Sequence, residues 1–152
     1  MQLWRIAREV HCDTALDGVG GLMAAGRWHR RGHPILYTSS SAALAALEVL
    51  VHVEPLQAPE DLRLLGLELP DDLVIETLDL TQLPDDWRSL PAPESTQFIG
   101  SAWLERRSSV ALRVPSVVVP MESNVLLNPR HPDVTRVQIS SNEPFRFDSR
   151  LR

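Results

Sequence analysis

GRWHRRGHPILYTSSSAALAALEVLVH, residues 26–52, gathers a cationic loop, the only tyrosine of the chain and a glutamate set among apolar residues. PILYTSS reads as a short strand running into hydroxyl-rich residues, of which Ser40 or Ser41 caps a helix that extends to about His52 before Pro55 stops it. Leu44, Leu47, Glu48 and Val51 follow the i, i+3, i+4, i+7 spacing of one helical face, so Glu48 is expected on the apolar stripe. An unpaired carboxylate there costs on the order of several kcal/mol, which calls for a partner or a wet cavity. Tyr37 lies ten residues after Arg27 and eleven before Glu48. A loop leading directly into a strand and then a helix lets the three side chains converge. Taken singly, each has a plainer reading: Tyr37 as a half-buried sheet residue, Glu48 as the partner of a structural arginine. Glu48 and His52 are also i, i+4 neighbours, but two ligands alone make a weak zinc site.

Outward from this segment the chain alternates strands and helices without βαβ regularity, which predicts an α+β fold in a single domain, residues 1–152. LWRIA is expected to be a strand, and DTALDGVGGLMAAGRW mostly loop with one helical turn. LRLLGLELP and LVIETLDL read as strands separated by the turn PDD. LPDDWRSLPAPEST reads as a surface loop, and STQFIGSAWLERR as a helix capped by Ser95 or Thr96. VALRVPSVVVP suggests two strand pieces broken at Pro115 and Ser116, ESNVLLNPRHPD a turn-rich connection, and TRVQIS and FRF late strands. Ser116 is a small hydroxyl in a run that otherwise reads as buried, so it must bond to backbone or ligand.

The charge pattern narrows the function. The net charge is −5, all fifteen basic residues are arginine, and nine acids stand against Arg63 alone between Glu60 and Asp86. Arg27, Arg30 and Arg31 form a local cationic loop in this acidic chain. That pattern suits the holding of one small anion better than a general nucleic-acid surface. Arginine suits phosphate because its planar fork donates two parallel hydrogen bonds. No apolar run is long enough for a membrane helix and the N-terminus carries no secretory hydrophobic region, so a cytoplasmic location without membrane association is expected. Cys12 is the only cysteine, which excludes a disulfide within the chain. His131 and Asp133 in NPRHPD fit a rigid turn better than a metal site.

Taken together, the stretch at 26–52, TQFIGSAW, LRVPSVVVPMESNVLLNPRHPD and the terminal FDSRL resemble the RES-domain family across nearly the whole chain. The resemblance implies an ADP-ribosyltransferase-like fold of the diphtheria-toxin kind, with mixed sheets flanked by helices. It implies a bacterial toxin of a type II toxin–antitoxin module that consumes NAD+ at the nicotinamide–ribose bond, with NAD+ as substrate and no metal or other cofactor. Arg27, Tyr37, Glu48 and Ser116 match the family's catalytic positions, and contacts to substrate are implied for Gly26, Trp28 and Asn124. His29 stands where the family often has asparagine, and Ser123 where it often has an aromatic residue.

Two further functions compete with a glycohydrolase or phosphorylase. One is a protein ADP-ribosyltransferase using the same pocket. The other is an RNA-cleaving toxin built on Arg27, His29, His33 and Glu48, against which the acidic net charge counts. The resemblance also implies a cognate Xre-type helix-turn-helix antitoxin, contact with DNA only through that antitoxin, and a hetero-oligomer of the pair; Arg27 and Arg30 are expected to attract an acidic or carboxylate-bearing segment of it that occludes the site near residues 26–33. The acidic stretch Glu60–Asp86 is expected to lie away from the mouth of the site.

Overall fold

The computed structural model describes residues 1–151. A seven-stranded mixed sheet is built from β1 (Gln2–Arg8), β2 (Leu36–Ser39), β3 (Leu62–Glu68), β4 (Ile75–Thr77), β5 (Ala111–Pro115), β6 (Ser123–Leu127) and β7 (Gln138–Pro144), in the order β4-β5-β6-β2-β1-β3-β7. Neighbours are antiparallel except β4 and β5. The helices are α1 (Gly20–Met23), α2 (Ala42–Leu50) and α3 (Glu94–Arg106), with short 3₁₀ turns between elements. The α+β expectation holds.

The side-chain alternation of the central strands makes two cores, one on each face. Leu36, Ala111, Val125 and Leu127 join Leu3, Leu65 and Leu67 in one. Leu112, Val114 and Leu126 meet Trp103 and Leu104 of α3, together with Trp28 and Ile35, in the other. No helix among the described residues is long and apolar enough to cross a membrane.

Several local expectations are corrected. Ser123–Leu127, read as part of a turn-rich connection, is a central strand between β2 and β5. Its apolar run, buried on both faces, is only three residues long, and flanking Asn and Pro hid it. VVVP is not a strand; the Ser116 hydroxyl accepts from the backbone N–H groups of Val118 and Val119, at 3.0 Å each, and turns the chain there. Phe145–Phe147 lies beyond β7 as an edge-to-face ring pair rather than a strand. The N-cap of α3 is Pro93, two residues before Ser95 and three before Thr96; the Thr96 hydroxyl donates to the Pro93 carbonyl, while Ser95 donates to Asp86.

On α2 the cap is Ser41, whose hydroxyl accepts from Leu44 N–H at 3.1 Å. The expected apolar stripe is buried only in part. Leu44 and Ala45 are buried, but Leu47 and Val51 stand 38% and 57% exposed. α2 packs on β1 and β2, which turns Glu48 toward the sheet, where it is only half-buried.

Candidate active site

The site opens where two neighbouring strands part. β1 pairs with β3 along its whole length, from Gln2 to Arg8, but meets β2 in register only at Trp4 opposite Ser39. Past that point the Tyr37 carbonyl has no strand partner on the β1 side, and Arg5 of β1 reaches over to donate to it from Nη1 at 2.9 Å. The gap becomes a cleft of about 220 Å³ lined by Arg5, Tyr37, Ser39, Glu48, His52 and Asn124, among others. A second cleft of about 690 Å³ continues from it toward the Gly18–Gly26 segment and His29. Arg5, Ile6, Tyr37 and Val49 line both, so the two form one bent depression.

At the α2 end of the depression, Glu48 Oε1 accepts from Ser116 Oγ at 2.7 Å and from Asn124 Nδ2 at 2.6 Å. The fully buried Ser116 is itself fixed by the two N–H groups that point at its oxygen, so its proton is directed at the carboxylate. Asn124 is oriented in turn by Ser39, whose hydroxyl donates to Asn124 Oδ1 at 2.8 Å; the two residues face each other in the β2–β6 ladder. Glu48 Oε2 accepts no hydrogen bond among the described residues. One carboxylate oxygen is therefore anchored by Ser116 and Asn124, and the other carries no such tie. Glu48 and His52 share the cleft, but no group of three or more His, Cys, Asp or Glu suited to a metal exists among the described residues.

The middle of the depression is the Tyr37 ring. Its hydroxyl accepts from Trp28 N–H at 3.1 Å and lies 2.8 Å from His29 Nδ1, while His29 Nε2 lies 2.9 Å from the Ala24 carbonyl. Burial pushes the Tyr37 phenol well up, opposed by the Trp28 N–H and the Arg27 charge. Burial likewise pushes His29 down. Gly26 has to lack a side chain here, because a Cβ would sit 2.5 Å from the Tyr37 hydroxyl. Gly100 of α3 is constrained in the same way, its Cβ position falling 1.7 Å from the Trp28 carbonyl.

Arg27 does not hang free in the mouth. Its Nη1 donates to the carbonyls of Trp87 and Ser89, at 2.8 and 2.9 Å. Partial burial lowers its pKa, an effect opposed by the Glu48 carboxylate. A guanidinium stays protonated under such shifts. The end of the acidic stretch, expected away from the mouth, thus leads straight into the segment that seats Arg27. Arg30 and Arg31 are exposed, and Arg30 lies 5.9 Å over the Phe98 ring.

The structure brings Tyr37, Glu48, Ser116 and Asn124 into one bonded or adjoining set, with Gly26 lining the larger cleft; Arg27 lines neither cleft and is seated on the Trp87 and Ser89 carbonyls. Trp28 lies with its indole 2% exposed in the α3-side core, and its backbone N–H donates to the Tyr37 hydroxyl. Sequence reasoning passed over Arg5, His29's bond to Tyr37, and Ser39. Arg5 had a visible signal, a cation in the middle of LWRIA. Its guanidinium is desolvated, which lowers its pKa, its Nε is buried without a partner, and no carboxylate pairs with it among the described residues.

Comparison with known proteins gives the family. A toxin named Res from Yersinia enterocolitica is 40% identical across the full length of both chains. A Prs ADP-ribosylating toxin from Sphingobium is 36% identical over 97% of this chain and 94% of its own. A chain in the crystal structure of the MbcT–MbcA toxin–antitoxin complex of M. tuberculosis shares the fold, with TM-score 0.77 at 19% identity over 95% of this chain and 84% of that one. The family model described as the RES domain matches residues 2–148, and the chain belongs to that family.

Proposed function

We propose that this chain is a toxin that consumes NAD+ by breaking the bond between nicotinamide and ribose. The observation that carries the reading is the Glu48 carboxylate, fixed through Oε1 by Ser116 and Asn124 and lining a cleft that also holds Arg5 and Tyr37. As the C1′–N1 bond breaks, its electron pair goes to the nicotinamide nitrogen and the ribose gains oxocarbenium character, as in sugar hydrolysis. A preorganised carboxylate stabilises that cation without reorganising. Arg5 and Arg27 supply positive charge for the pyrophosphate, and the Tyr37 ring offers a face for stacking. Water or phosphate then adds to C1′.

A second reading has a protein side chain as the acceptor, and the name of the Sphingobium relative favours it. Both readings share every residue above and differ in the nucleophile. The test is to incubate the purified protein with NAD+ in the presence and absence of phosphate and of cell lysate, and to identify products by mass. Free ADP-ribose or its phosphorylated form supports the first reading, and a labelled protein the second. NAD+ left intact in every arm refutes both.

The proposed partner is an antitoxin of the Xre type, placing a segment over the mouth near residues 26–33. The partnered state of the M. tuberculosis neighbour supports a partner. Hydrogen exchange on the co-expressed pair tests the position: protection at residues 26–33 with NAD+ turnover blocked is expected, and protection elsewhere with turnover intact refutes occlusion.

A further inference from the structure

The His29–Tyr37 pair carries an inference beyond the site's general chemistry. The Ala24 carbonyl can only accept, so His29 Nε2 must bear the proton. In the neutral ring Nδ1 then has only a lone pair to offer, and the 2.8 Å contact is donated by the Tyr37 hydroxyl. The other demand of that hydroxyl oxygen is met by Trp28 N–H. The buried phenol is thus saturated, with its proton aimed at the imidazole and away from the cleft. His29 itself is 3% exposed, 5.6 Å from the Tyr37 ring centre to centre, and Gly26 gives way to both.

We infer that His29 is a positioning residue: a neutral, Nε2-protonated imidazole that accepts the Tyr37 proton and thereby fixes the ring forming the wall common to the two clefts. Tyr37 then presents a ring face to the substrate and takes no part as an acid or base. His29 contacts the reaction only through Tyr37. The kinetic half of this inference rests on the NAD+ reading; the tautomer does not.

The two imidazole nitrogens can be tested separately. Asparagine places an acceptor near Nδ1, whereas glutamine reaches the position of Nε2. His29→Asn should therefore keep kcat within about threefold of wild type, and His29→Gln should lower it about tenfold or more with a smaller change in KM. In a Tyr37→Phe background His29→Gln should add little further loss, because the proton it receives is gone. Long-range ¹⁵N correlation on the wild-type imidazole should report an Nε2–H tautomer, and melting curves show whether each variant folds. The opposite ranking, with glutamine near wild type and asparagine impaired, would make His29 a tie for the Ala24 segment and overturn the inference. Additive losses with Tyr37→Phe overturn it as well, and so does an Nδ1–H tautomer, whatever the substrate. Failure of the wild-type chain to cleave NAD+ overturns the substrate reading alone, and the tautomer measurement then decides for His29.

Discussion

Glu48 lines the smaller cleft and Arg27 lines neither cleft, and the two are held in different ways. Glu48 is gripped by side chains that leave a β-strand (Asn124) and the turn directly after one (Ser116), each backed by a further bond to Ser39 or to backbone N–H. Arg27 is held by two carbonyls of an irregular segment, Trp87 and Ser89, that belongs to neither the sheet nor a helix. A carboxylate fixed by the sheet is preorganised for a charge that exists only in the transition state. A guanidinium seated on a loop can shift as substrate arrives and return to its carbonyls afterwards. Changes around Glu48 should fall on kcat, and changes at Arg27 should fall on KM as well.

The largest expected effect is at Glu48. Glu48→Ala, and equally Glu48→Gln, should cut the rate of NAD+ loss by about 10²–10³-fold or more while the protein stays folded, since what is lost is charge opposed to a developing cation. Melting curves and product assays on the two variants check this. Turnover by Glu48→Gln at the wild-type rate would end the electrostatic role and the comparison with it.

Next come the groups that hold the carboxylate. Ser116→Ala should reduce kcat about tenfold or more with KM little changed, a pattern expected when positioning is lost rather than binding. It should also cost about 1–2 kcal/mol of stability, because Val118 and Val119 N–H lose a buried acceptor. Steady-state kinetics with denaturant unfolding separates the two. A Ser116→Ala variant whose kcat is unchanged would show that Asn124 alone suffices to orient Glu48.

At Arg27 the expected losses are smaller in kcat and larger in KM. Arg27→Lys should fail nearly as badly as Arg27→Ala, because an ammonium on its flexible stem cannot keep two carbonyl bonds and present a planar fork to phosphate. Arg30→Ala and Arg31→Ala, at exposed positions, should stay within about threefold of wild type. Equal KM effects at all three arginines would dissolve the contrast into a diffuse cationic patch.

How much of this could be read from sequence differs along the same division. The α+β class and the Ser41-capped helix follow from patterning, and the strand of Tyr37 is short but flanked clearly. The assignment of Arg27, Tyr37, Glu48 and Ser116 to one site came from family resemblance; spacing alone allowed their convergence without requiring it. β6 was hidden because its apolar run is short and bounded by turn-forming residues. Periodicity identifies a stripe but not the surface it meets: Leu44 of the stripe is buried with Ala45 beside it, while Leu47 and Val51 stand exposed. Arg27's partners were invisible for a plainer reason: backbone carbonyls sixty and more residues away leave no trace in side-chain identity. Neither does the register that leaves the Tyr37 carbonyl to Arg5.

The smallest effect expected is on stability against pH, and it separates the His29 side of the depression from the Glu48 side. His29 is held neutral in the fold, by burial first and by the His33 charge as well, while the Ala24 carbonyl pulls the other way. Tyr37 is the remaining titratable group in contact with it, and that phenol stays protonated. Since the folded pKa lies below the unfolded value of 6.5, the unfolded chain binds more protons as pH drops through 6.5. Stability should decline from pH 6.5 downward and level off below the folded pKa, and above pH 6.5 His29 adds no pH dependence. Paired denaturation of wild type and His29→Asn between pH 7.5 and about 5 isolates this term, because the exposed carboxylates titrate alike in both. The wild type should lose stability relative to the variant only below about pH 6.5. A difference that stays constant over the whole range would mean His29 is protonated as readily in the fold as out of it, and its neutral tether to Tyr37 would have to be abandoned.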